Sequence, residues 1–79
     1  MQKLLDFLVK AIVNSPQEVK IEEKEVERGS FLYLIHAKVE DRPIIIGKQG
    51  KNIKAIRELL KVIAIREHKR INLQLAEEI

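Results

Sequence analysis

Cysteine and tryptophan are absent from this 79-residue chain, which has three glycines, two prolines and 4% aromatic residues. Each shortage excludes something. Without cysteine there is no disulfide framework and no thiolate metal site, and a short chain without staples is expected in a reducing cytoplasm. With so few glycines and prolines there is no low-complexity tract, linker or internal repeat. Phe7, Phe31 and Tyr33 are the only aromatic residues, and all lie well before the glycine-bounded segment discussed below. An aromatic platform for stacking bases is therefore not available there. No stretch approaches the ~18 uncharged residues of a membrane helix, and Lys3, Asp6 and Lys10 interrupt the N-terminal apolar segment too often for a signal peptide.

Catalytic machinery is equally thin. His36 and His68 stand far apart and without companions, so neither suggests a metal site. Glu22, Glu23, Glu25 and Glu27 are interleaved with Lys20 and Lys24, the pattern of a charged strand edge. A carboxylate pair for glycoside hydrolysis needs a deep cleft, which a chain with room for one domain, residues 1–79, does not enclose; a domain this small buries only roughly 60–65% of its unfolded surface. No Ser–His–Asp arrangement is credible. The expectation is a protein that is not an enzyme, with no cofactor and no small-molecule substrate.

What the chain has is charge, at 34% of residues, in an uneven distribution. Residues 47–70 hold Lys48, Lys51, Lys54, Arg57, Lys61, Arg66, Lys69 and Arg70 against Glu58 and Glu67. That segment carries +6, and since the whole chain carries +3 the remainder sums to −3. Positive charge concentrated on one element points to a polyanion at a defined face.

The apolar pattern predicts six elements. Leu4, Leu5, Leu8, Ile12 and Val13 recur at helical spacing, with Phe7 and Ala11 widening the stripe, giving a helix over 2–14 that Asn14-Ser15-Pro16 stops. Val19, Ile21 and Val26 sit in an otherwise charged stretch, predicting a strand over 18–28 with one wet face and a disturbance near Glu23-Lys24, where the alternation slips. After the Arg28-Gly29-Ser30 turn, Phe31, Tyr33, Ile35, Ala37 and Val39 alternate with Leu32, Leu34, His36 and Lys38. This strand over 31–39 should turn the first set to the core; Leu32 and Leu34 on its other face suggest a subunit contact. Pro43 opens a short helix running through Ile44-Ile45-Ile46. Ile53, Ile56, Leu60 and Ile63 predict a long helix over 51–68, and Ile71, Leu73 and Leu75 a last strand over 71–76. The order helix-strand-strand-helix-helix-strand implies an α+β domain with its helices on one face of a three-stranded sheet.

Gly47-Lys48-Gln49-Gly50 separates three isoleucines from the basic helix. Glycines adopt backbone angles closed to other residues and let a sugar-phosphate chain approach the main chain. The helix start that follows offers unpaired N–H groups and the positive end of a dipole, and Lys48 and Lys51 add charge there. Such a site grips phosphates without reading sequence. A nucleotide-binding P-loop requires glycine at Ile45 and Ser or Thr at Asn52; a dinucleotide fingerprint requires glycine at Ile53. Neither pattern is met. Ile45, Ile46 and Ile53, with Ile56 as a further candidate, are expected to line an apolar groove for bases beside the loop.

The run Ile45-Ile46-Gly47-Lys48-Gln49-Gly50-Lys51-Asn52-Ile53-Lys54-Ala55-Ile56-Arg57 resembles the I-I-G-x-x-G-x-x-I core of KH domains, and the element order is similar to the type II version. Residues 8–19, LVKAIVNSPQEV, resemble the first helix and proline turn of the bacterial KhpA family, stand-alone KH proteins of about this length. The resemblance implies a type II KH fold, α-β-β-α-α-β with a mixed sheet, and non-catalytic binding of single-stranded RNA in post-transcriptional regulation or as an RNA chaperone. It implies a clamp at Gly47, Lys48, Gln49 and Gly50, a groove at Ile45, Ile46 and Ile53, and basic support from Lys51, Lys54 and Arg57. It further implies a homodimer or a heterodimer with a KhpB-like partner; an assembly module that uses the fold mainly for such pairing is the alternative. Asp41-Arg42-Pro43-Ile44 departs from the family, which often has a proline-acid pair and a smaller residue there.

Overall fold

The computed structural model describes residues 1–76. Helix α1 (Gln2–Ile12) is followed by a 3-10 turn (Pro16–Glu18), strands β1 (Lys20–Glu27) and β2 (Ser30–His36), a second 3-10 turn (Val39–Asp41), α2 (Arg42–Ile46), the glycine loop, α3 (Lys51–Arg66) and β3 (Arg70–Leu75). The sheet order is β1-β2-β3, with β2 antiparallel to β1 and parallel to β3. A parallel neighbour requires a crossover, and α2 and α3 supply it. The result is the expected α+β arrangement, a mixed three-stranded sheet with the helices packed on one face.

The core is where the periodic residues converge: Leu5 and Val9 of α1, Tyr33 and Ile35 of β2, Ile45 of α2, Ile56 and Leu60 of α3, and Leu73 of β3. Each helix gives it one stripe, and β2, the central strand, gives alternate residues. Leu32 and Leu34 project from the uncovered face, where Lys24 and Glu22 flank them on one side and Asn72 and Gln74 on the other.

Not every apolar residue expected to face inward does: Phe7, Ala11 and Ile12 of α1 are exposed, and two residues of the strand patterns turn outward as well. Val39 is 60% exposed, because β2 ends at His36 and Val39 opens a 3-10 turn, so the strand's alternation no longer applies to it. Val26 is also exposed: the β1–β2 register shifts between Glu25 and Glu27, and the extra residue at the bulge is Val26. The irregularity thus falls two residues beyond Glu23-Lys24. Glu23 itself lies opposite Tyr33 and accepts a 2.7 Å hydrogen bond from its hydroxyl; burial, then the carboxylate beside it, pushes the phenol's pKa up.

Asp41 is the one buried charged residue among those described, at 1% exposed. Its carboxylate accepts the backbone N–H groups of Asn14 (3.2 Å) and Ser15 (3.0 Å), where the chain leaves α1. Its neighbour Arg42 donates to the carbonyl of Ala76, just beyond β3. The start of α2 is therefore tied to two distant segments.

The C-terminal end of α3 is closed by His68 in the left-handed region (φ 58°), with Lys69 N–H donating to the Ala64 carbonyl at 2.8 Å. Glycine is the usual residue at such a cap.

Two outcomes follow. Asp41→Ala leaves two backbone donors without their charged acceptor and is expected to cost roughly 2–3 kcal/mol in urea unfolding. His68→Gly relieves the left-handed side chain and is expected to raise stability by about 1 kcal/mol, read as a higher denaturation midpoint with unchanged slope.

Candidate nucleic-acid interface

The glycine loop is a specific piece of backbone geometry. Gly47 caps α2, its N–H donating to the Pro43 carbonyl at 2.8 Å, and takes φ 76° and ψ 172°. That region is essentially reserved for glycine. Lys48–Gly50 form a single 3-10 turn closed by Gly50 N–H to the Gly47 carbonyl at 3.1 Å. Within it Gln49 is left-handed (φ 56°, ψ 27°), and Gly50 repeats that conformation (φ 76°, ψ 15°) before α3 begins.

The two glycines differ in surroundings. A Cβ on Gly47 would lie 2.6 Å from Cγ of Asn52 and 2.8 Å from its backbone nitrogen, whereas a Cβ on Gly50 would meet nothing within 4 Å. Asn52 lies against Gly47 because its side-chain amide reaches back and donates to the Ile44 carbonyl at 2.7 Å. Asn52 therefore staples the first turn of α3 to the last turn of α2, and only a residue without a side chain fits beneath the staple. In the sequence Asn52 served only to exclude a P-loop. The available signal was a short amide side chain two residues into a helix that follows a glycine loop.

The loop positions several of the expected residues together. Lys48, Gln49 and Lys51 are all exposed at the start of α3. That helix has no side-chain cap and no acidic residue in its first turn, so its dipole is unopposed, while the Lys51 N–H donates to the Lys48 carbonyl of the preceding turn. Lys54 and Arg57 follow one and two turns along, exposed and half-buried respectively. None of these cations is ion-paired among the described residues; the pairs found there involve Lys10, Lys24, His36, Lys38 and Lys69.

The expected apolar groove needs one correction. Ile45 has no exposed surface and belongs to the core cluster, as does the further candidate Ile56. Ile46 is 39% exposed and Ile53 half-buried, so these two supply the accessible apolar surface beside the loop. Among the described residues no group of three His, Asp or Glu side chains is placed to hold a metal ion, and no helix is long and apolar enough to cross a membrane.

Known proteins bear on this arrangement. Residues 2–75 match the family described as KhpA/KhpB, KH domain. RNA-binding protein KhpA of Chlamydia pneumoniae is 39% identical over 79 residues, covering 99% of both chains. RNA-binding protein KhpA of Clostridium acetobutylicum is 41% identical over 71 residues, covering 90% of this chain and 93% of that one. Among solved structures, Era in complex with MgGDPNP and nucleotides 1506–1542 of 16S ribosomal RNA superposes with a TM-score of 0.55 at 18% identity. The match takes in 94% of this chain and 28% of the Era chain, and it concerns the fold alone.

The two glycines are expected to respond differently to the same change. Gly50→Ala meets only the left-handed backbone penalty, about 1 kcal/mol. Gly47→Ala adds a collision with the Asn52 staple and is expected to cost roughly 2–4 kcal/mol. Chemical denaturation of the two variants checks the order.

Proposed function

The chain belongs to the KhpA/KhpB KH-domain family, and from that membership we propose that it is a non-catalytic binder of single-stranded RNA. The observation that carries the reading is the Asn52–Ile44 staple packed over Gly47, beside which Lys48 and Gln49 stand exposed at the start of α3. Phosphates of an RNA strand sit over the 47–50 loop, held by backbone N–H groups and by Lys48 and Lys51. Lys54 and Arg57 continue the positive path along α3. Bases lie against Ile46 and Ile53, with Ile45 fixing the wall from behind. Phosphate contacts of this kind set position and register, while base identity is read by whatever polar groups border the groove.

The same proposal covers the role and setting: a cytoplasmic post-transcriptional regulator or RNA chaperone that pairs with itself or with a KhpB-like protein. A single KH site contacts only about four nucleotides, so a second linked site adds avidity without new contacts. That arithmetic favours pairing as an aid to RNA binding over pairing as the sole purpose.

Replacing Lys48 and Gln49 together by Asp puts negative charge where the phosphates lie. The expected result is at least a ~30-fold loss in affinity for single-stranded RNA, about 2 kcal/mol, with thermal unfolding little changed because both side chains are exposed. Removing Lys48 alone should lower the salt dependence of binding by roughly one phosphate contact. Unchanged affinity in a folded double variant would remove the loop from the binding site.

A further inference from the structure

The helix that begins at the glycine loop carries different residues on each side. Ile56, Leu60 and Ala64 form its buried line, while Leu59, Val62 and Ile65 are exposed away from it. Between the buried line and Ile65, the residues Ile53, Arg57 and Lys61 recur every four positions and form one row along the helix. Ile53, the half-buried isoleucine beside the loop, heads this row. Arg57 stands one turn further, about 6 Å along the axis. Lys54 is exposed and lies roughly 60° further round from the buried line than Arg57 does.

Arg57 differs from the other cations near the loop. Lys48, Lys51 and Lys54 are exposed, whereas Arg57 is half-buried. A half-buried arginine lays its carbon stem along apolar surface and keeps its guanidinium at the rim. Among the described residues Arg57 makes no ion pair and its side chain no hydrogen bond. No buried side-chain nitrogen there lacks a partner, so the unpartnered guanidinium nitrogens reach the surface. Its five N–H donors are thus uncommitted and held in a planar fork. The amide of Asn52, by contrast, is already spent on the Ile44 carbonyl. A base lying on Ile53 has the Arg57 fork beside it on the same row. Such a fork only donates, so it matches a base edge with two adjacent acceptors. Guanine has O6 and N7, and cytosine has O2 and N3; on adenine and uracil a donor adjoins each acceptor of the corresponding edges.

We infer that Arg57 reads the base lying on Ile53, selecting guanine or cytosine over adenine or uracil through two parallel N–H bonds to adjacent acceptors. The inference rests on the RNA-binding proposal and narrows one part of it. Arg57 serves a base, while Lys48, Lys51 and Lys54 remain with the phosphates. Its positive charge favours any RNA, and the preference comes from the shape of the fork. Lysine carries the same charge as a compact point on a flexible stem, so exchanging arginine for lysine separates the two contributions.

Titrating the full chain with RNAs of about four nucleotides, all uridine except for one position carrying adenine, cytosine or guanine, tests this. At one position guanine or cytosine should bind about fivefold or more tighter than adenine and uridine. Arg57→Lys should bind the all-uridine RNA within about twofold of the unaltered protein and shrink the preference below about twofold, with thermal unfolding little changed. Lys54→Gln should weaken every RNA alike, lower the salt dependence by about one phosphate contact and keep the preference. Base analogues test the unaltered protein itself. Where guanine is favoured, 7-deazaguanine removes the N7 acceptor; where cytosine is favoured, 3-deazacytosine removes N3. Either replacement should abolish the preference and so identify which pair of acceptors the fork meets. A preference that survives the analogue, a folded Arg57→Lys that keeps it, or a preference for adenine or uridine would each overturn the inference. Equal losses on every RNA in Arg57→Lys would do the same and return Arg57 to the phosphates. Binding without any base preference would overturn this inference alone, whereas failure to bind any RNA would overturn the RNA-binding proposal with it.

Discussion

A carboxylate buried without a cation is held by two backbone amides, and the geometry of the glycine loop depends on it. Asp41 fixes the exit of α1 to the start of α2. That helix has only five residues, too few to hold its own shape in water. It persists because it is tied down by Asp41, by the Arg42 bond to the Ala76 carbonyl and by full burial of Ile45. The loop begins where α2 ends, so its placement relative to α3 is inherited from these anchors. A buried charge bonded in this way is costly to disturb because removal of either partner strands the other. The departure of Asp41-Arg42-Pro43-Ile44 from the family pattern falls on these anchors, not on the loop.

Much of this was legible in the chain itself, and the misses have common causes. Periodicity located all six elements because each helix has one buried stripe and β2 alternates cleanly. In the strands it failed at Val39 and Val26, where a strand stopped or bulged and the parity of the alternation ceased to mean anything; in α1 it drew the buried stripe too wide, since Phe7, Ala11 and Ile12 are exposed. The motif indicated where the loop lies but not how its residues divide. Ile45 and Ile46 are adjacent and chemically identical, and only the direction each takes from α2 separates an anchor from a surface residue. Asp41 and Asn52 were invisible for a different reason. Their partners are backbone amides and a carbonyl, which carry no sequence signal, and in the case of Asp41 they lie 26 and 27 residues away.

Helix α3 shows how a small domain separates its tasks. Sixteen residues hold a core stripe, a basic flank and an aliphatic flank, and each remains distinct because 3.6 residues per turn sorts positions by angle. The uneven charge of the chain is thereby given a direction. Three of the cations that look merely abundant in the sequence, Lys54, Arg57 and Lys61, line one side of that helix.

The Asn52 bond to the Ile44 carbonyl has a bearing on how such a protein can change over generations. Gly47 and Asn52 are interlocked, so a substitution at one demands an accommodating substitution at the other, whereas Ile44 contributes only its carbonyl. Lys48 takes part in none of this; its side chain projects from a turn whose hydrogen bonds are all made by backbone. Gln49 is nearly as free, restricted only by a left-handed backbone that asparagine or glycine would suit as well. The two central positions of the loop thus behave as a dial on a fixed mount. Affinity for a polyanion can be raised or lowered there by single substitutions, without renegotiating the fold.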